Sequence, residues 1–82
     1  MIYKFETDHC PMCKQAERLL HKHNVYYMSV DAEESTHLVE FYGIKSVPTL
    51  VIAESLGEPA QAICLAPQNE KNLIEFINKC NG

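Results

Sequence analysis

The chain contains no apolar run approaching the roughly 18 residues that a membrane-spanning helix requires, so no transmembrane segment is expected. Its first stretch, MIYKFETDHC, lacks the basic region, long apolar core and small-residue cleavage site of a secretory leader, and a cytoplasmic localisation is expected. Positive charge is scarce: seven Lys and Arg stand against eleven Asp and Glu, for a formal net charge of -4. Neutralising phosphates takes clustered cations, and these seven are scattered, which argues against nucleic acid and against an anionic membrane surface as partner. Repeats, linkers and low-complexity stretches are missing as well. What remains is 82 residues, 46% hydrophobic, the material of one domain spanning 1–82 that is expected to be monomeric.

A second close pair of cysteines is also missing. Cys10 and Cys13 are three positions apart, whereas Cys64 and Cys80 fall in different predicted elements. A structural zinc site wants two such pairs, and His9, His21, His23 and His37 on helices and loops are expected in solvent, so no metal is expected. A permanent Cys10–Cys13 cross-link would close so short a loop that it would constrain the unfolded chain little. Secreted disulfide scaffolds are loop-rich, and this sequence is strongly periodic.

The periodicity predicts seven elements. MIYKF reads as a strand over 1–5. From 11 to about 23, Met12, Cys13, Ala16, Leu19 and Leu20 form one face of an amphipathic helix, with Pro11 in its first turn where a missing N–H costs nothing. VYYMSVD predicts a strand over 25–31; AEESTHLVEFYG, with acids early and Gly43 last, predicts a helix. PTLVIA and AQAICL predict two more strands around the turn SLGEP. QNEKNLIEFINKC predicts a closing helix with Leu73, Ile74, Ile77 and Cys80 on one face. The order β-α-β-α-β-β-α implies a parallel first pair with a right-handed crossover and an antiparallel last pair. The fold class is therefore α/β, a four-stranded mixed sheet flanked by three helices. Tyr26, Tyr27, Phe41 and Tyr42 are expected in or at the edge of the core.

Position gives the cysteine pair its chemistry. Cys10 falls where a strand ends and a helix begins, and the free N–H groups and positive dipole end of that helix favour its thiolate, the nucleophilic form. Thiols in such C-x-x-C settings drop from about 8.5 to between ~3.5 and ~7.5. Cys13, one turn into the helix, is shielded but in reach, as a resolving thiol must be. His9 and Lys14 are candidates for tuning the thiolate, against the simpler reading of a solvated loop histidine beside Asp8 and a solvated helix lysine. Cys64 and Cys80 are expected as small core residues, and Met12 as part of an exposed apolar rim.

The CPMC at a strand-helix junction and YGIKSVPTLVI at 42–52, about 35 residues apart, resemble the thioredoxin superfamily over nearly the whole chain, in particular its small glutaredoxin-like and thioredoxin-like redoxins. The resemblance implies a thioredoxin-like fold and a thiol-disulfide oxidoreductase working through a redox-active disulfide, with no other cofactor. It implies that Pro48 is cis and that the backbone of Val47 pairs with an extended substrate segment, with Pro11, Met12 and Thr49 in support. The implied partner is a disulfide-containing protein. The chain departs from the resemblance at four places: His9 stands where thioredoxins carry Trp, Lys4 where they carry a buried Asp, and Thr7 where many glutaredoxins carry Lys. CLAPQNE stands where glutaredoxins hold glutathione with a Gly-Gly…Asp segment. A flavoprotein of the thioredoxin-reductase type is therefore expected as electron donor ahead of glutathione. A glutathione-dependent glutaredoxin is the alternative, and a zinc or iron–sulfur module the alternative of another class.

Overall fold

A computed structural model describes residues 1–81. Strand β1 (Ile2–Glu6) runs parallel to β2 (Met28–Asp31) and antiparallel to β3 (Thr49–Ile52), and β4 (Ala62–Leu65) lies antiparallel to β3, giving the order β2-β1-β3-β4. Helices α1 (Pro11–Lys22), α2 (Thr36–Phe41) and α3 (Glu70–Asn81) pack on the two faces. Side chains alternate along β1, so Tyr3 and Phe5 face one core layer with Val30, Tyr42, Val51 and Ala53, closed by Leu38 and Val39 of α2. Leu20 of α1, Leu50, Cys64, and Leu73 and Phe76 of α3 form the other layer. The mixed sheet of four strands between three helices is the arrangement expected from the element order.

The core also holds a charge. Lys4, next to Phe5 on β1, is 1% exposed, and its Nζ sits 2.6 Å from Glu6 Oε1 and 5.3 Å from the centroid of the Tyr27 ring. Ammonium and carboxylate occupy alternate positions of the same strand face, so the strand itself supplies the counter-ion that a buried lysine requires.

Several boundaries and burials differ from expectation, each for a local reason. The second strand starts at Met28 instead of 25, because Asn24 turns the chain out of α1 with φ 56 and the parallel ladder begins only at Tyr3↔Met28. Tyr26 is thereby left 92% exposed. Helix α2 is shorter than 32–43: Asp31 Oδ1 accepts from the N–H groups of Glu33 (2.9 Å) and Glu34 (3.4 Å), and this turn keeps both acids ahead of the helix. Gly43 follows the helix at φ 64, the left-handed conformation expected of a terminating glycine. In this short helix Phe41 points outward, 54% exposed, while Tyr42 is buried with its hydroxyl donating to Glu58 O at 2.5 Å. On α3 the buried positions are Leu73 and Phe76; Ile74 is 40% exposed and Cys80 is also exposed, so the apolar stripe is rotated toward Phe76. β4 begins at Ala62, two residues later than expected.

Candidate active site

The pair sits at the start of α1, at the end of the sheet where the segment before β3 crosses. Cys10 caps the helix with extended backbone (φ -123, ψ 99), and Pro11 takes the first helical position, where its fixed φ suits the turn. With Cys10 outside the helix, its sulfur receives the Cys13 backbone N–H at 3.0 Å, and its carbonyl accepts from Lys14 N at 3.2 Å. Cys10 and Cys13 are joined by a disulfide, with Cα atoms 5.1 Å apart. The two sulfurs are unequal: Cys13 lies on the buried face of α1 at 2% exposure, whereas Cys10 is half-buried at the surface. When the bond is open, an amide N–H and the helix terminus both act on the sulfur that solvent can reach.

Across from the pair, the Val47–Pro48 peptide is cis, as the resemblance implies. Pro48 is buried, Val47 is half-buried, and the Val47 carbonyl oxygen lies 3.9 Å from Cys10 Sγ. An open hollow of about 290 Å³ flanks Cys10 on one side, lined by Asp8, His9, Pro11 and Lys14. His9 and Lys14 thus line the same hollow as Cys10, both in solvent, and Asp8 shares it with them. A second hollow of about 220 Å³ opens by Val47 against Ala32, Val39 and Ile44, with Glu33 and Lys45 at its rim. Met12 is 57% exposed, as expected of a rim residue, and Leu65 of β4 is 66% exposed.

Thr49 follows Pro48 directly, as the first residue of β3. It is 1% exposed, and its hydroxyl donates to Ser46 O at 2.7 Å. Two residues that the sequence did not single out join the site. Gln68 Nε2 donates to Met12 Sδ at 3.4 Å, and Gln15 Nε2 donates to Gln68 O at 3.2 Å, so the segment after β4 is tied to the first turns of α1. The contact joins positions 56 apart in sequence, and neither glutamine belongs to a recognisable pattern. In the same segment Ala66 adopts φ 51, and Asn69 Oδ1 caps α3 by accepting from Lys71 N (3.0 Å) and Asn72 N (3.3 Å).

The other two cysteines are not part of this constellation. Cys64 is buried in β4, and burial, followed by the proximity of Cys80, pushes its thiol up to about 11. Cys80 is exposed on α3, contrary to the expected core position, and desolvation still raises its thiol. Among the described residues, no group of three or more His, Cys, Asp or Glu is arranged to hold a metal ion. No helix among them is long and apolar enough to cross a membrane.

Comparison with known proteins adds a family and a fold. The glutaredoxin family model matches residues 1–56. A search of curated protein sequences finds no match. Among solved structures, the germline-specific thioredoxin Deadhead of Drosophila melanogaster is 23% identical, covering 95% of this chain and 77% of its own, with a TM-score of 0.71. Mitochondrial thioredoxin 3 of Saccharomyces cerevisiae, in its oxidised form, is 19% identical over 95% of this chain and 76% of its own, with a TM-score of 0.74. A mutant thioredoxin of Halobacterium salinarum is 26% identical over 95% of this chain and 71% of its own, with a TM-score of 0.71.

Proposed function

The chain belongs to the glutaredoxin family and is a thiol-disulfide oxidoreductase; we propose that it reduces disulfides in partner proteins and is recharged by a flavoprotein of the thioredoxin-reductase type. The observation that carries this reading is the inequality of the two cysteines, one half-buried with an amide N–H on its sulfur at 3.0 Å, the other 2% exposed on the buried face of α1. In the reduced protein, the Cys10 thiolate attacks one sulfur of the partner's disulfide. That bond breaks, a mixed disulfide forms, and the partner's other sulfur leaves as a thiolate that takes up a proton. Cys13 then loses its proton and attacks Cys10 Sγ, forming the Cys10–Cys13 bond and releasing the partner's second thiol. Two electrons and two protons pass from the dithiol to the partner. In this reading the Val47 backbone pairs with the extended segment that carries the target disulfide, and the 3.9 Å between its carbonyl oxygen and Cys10 Sγ supports it.

The choice of donor rests on what stands in place of a glutathione site. The α3 amides of Lys71 and Asn72 are already satisfied by Asn69 Oδ1 and are not free for a ligand carboxylate. Thr7 offers no charge where a lysine would hold a second carboxylate. Each lost charge-assisted contact is worth roughly 1.5–3 kcal/mol, enough to separate a dedicated donor from an incidental one. One observation favours the glutathione-dependent reading, the family match itself, although its span of 1–56 ends before the segment at 64–70 where the glutathione-holding glycines would lie. The test is insulin reduction run once with NADPH and thioredoxin reductase and once with NADPH, glutathione and glutathione reductase. Faster turnover with thioredoxin reductase is expected, and faster turnover with glutathione would overturn the assignment of donor.

A further inference from the structure

We propose that Thr49 is a positioning residue whose hydroxyl holds the Val47 edge in register for the protein substrate. This inference rests on the reading above, in which that edge pairs with the substrate. Among the described residues, no backbone–backbone hydrogen bond outside the helices and strands involves residues 45–48. That run is nevertheless the one that brings the Val47 carbonyl oxygen to 3.9 Å from Cys10 Sγ. Thr49 is the first residue of β3 and is anchored on both sides, opposite Phe5 of β1 and Leu65 of β4. From this fixed point its hydroxyl reaches back to Ser46 O at 2.7 Å and brackets Val47 and Pro48 between two held residues.

The bracket is well suited to the task. The hydroxyl is nearly inaccessible, with Thr49 1% exposed, so water competes little for it. A β-branched side chain is restricted about χ1, so its oxygen is presented in few directions. Among the described residues the Val47 N–H and carbonyl make no backbone–backbone hydrogen bond, which leaves the edge available to an incoming strand. Without the hydroxyl, Ser46 O turns to solvent and the edge must be ordered by the substrate itself, a cost paid on binding. The Val47 carbonyl oxygen is the edge's contact with Cys10 Sγ, but the helix terminus and the Cys13 N–H, which favour the thiolate, do not run through Ser46, so reaction at the sulfur changes little. A protein substrate that uses the edge therefore senses Thr49, and a small disulfide that reacts at the sulfur alone does not.

The experiment compares the wild type with Thr49→Val and Thr49→Ser on insulin and on a small aromatic disulfide, together with the rate of Cys10 alkylation. For Thr49→Val the KM for insulin should rise about tenfold, the scale of one aligned hydrogen bond, while the small disulfide and alkylation rates stay within about twofold. Thr49→Ser, which restores the donor, should return the insulin KM to near the wild-type value. Parallel losses on both substrates, an unchanged insulin KM, or no rescue by serine would each overturn the assignment. Should Thr49→Val fail to fold by far-UV circular dichroism, Thr49→Ala is measured against Thr49→Ser with the same expectations. A wild type that turns over the small disulfide but not insulin would instead refute the protein-substrate reading, and this role for Thr49 with it.

Discussion

At the scale of the residue, the chemistry depends on a difference between two sulfurs of the same element type, three positions apart. Cys10→Ser removes the accessible one and should reduce disulfide reductase activity to background. Cys13→Ser leaves an attacking thiol with no resolving partner, so it should accumulate a mixed disulfide with its substrate, visible on a non-reducing gel and released by dithiothreitol. The difference in exposure on which both proposed roles rest was legible in the sequence, because a C-x-x-C entering a helix after a strand has one end nearer solvent and one end covered. The role of Thr49 was not legible, since nothing in its neighbours announces that the hydroxyl turns back to Ser46. The Lys4 environment was legible only as a departure from relatives, and its partner Glu6 emerges from strand alternation in the structure. Glu6→Gln leaves an ammonium buried without its counter-ion and should cost about 1–3 kcal/mol in urea denaturation. Lys4→Met removes the charge and fills the space with thioether, and should be stable to within about 1 kcal/mol of the wild type or better.

At the scale of the element, α3 divides the remaining cysteines and ties down the end of α1. Periodicity alone put Cys80 on the buried stripe; the helix is rotated so that Phe76 takes the core, a choice between neighbouring apolar positions that only packing against β4 decides. Cys64→Ala should therefore cost on the order of 1 kcal/mol through a small cavity, whereas Cys80→Ala should leave stability unchanged, and neither should alter turnover. The start of α3 is held by Glu70, whose Oε2 lies 2.8 Å from Lys22 Nζ and 2.9 Å from His23 Nε2 at the end of α1. Hydrogen bonds from Lys22 and then His23 hold the Glu70 carboxyl below its usual value of 4.5. A carboxyl lowered in the folded state stabilises above its unfolded pKa and loses that contribution as pH falls through the folded one. Thermal denaturation followed from pH 7 downward should thus show a decline setting in near 4.5 that is shallower in Glu70→Gln; identical acid limbs in the two proteins would show that this staple contributes nothing.

At the scale of the whole molecule, the parallel β1–β2 pair and the antiparallel β3–β4 pair followed from the order of elements whatever their exact ends, whereas the antiparallel pairing of β3 against β1, which sets the strand order, came only from the structure. The ends themselves depended on interactions across the sheet, as with β2, which begins only where β1 provides a partner. The fold brings a half-exposed sulfur, a helix terminus and the Val47 edge to one place, and it keeps the other two thiols away from that chemistry. The central claim is that Cys10 is the nucleophile of this thiol-disulfide oxidoreductase. Pulse alkylation of the fully reduced protein with iodoacetamide at pH 7, read site by site by mass spectrometry, tests it most directly. Cys10 should label first by at least about tenfold, because its thiolate alone is both favoured and reachable. Cys80 should follow slowly, and Cys64, buried with its thiol at about 11, should label last. Faster labelling at Cys13 or Cys80 than at Cys10 would contradict the account.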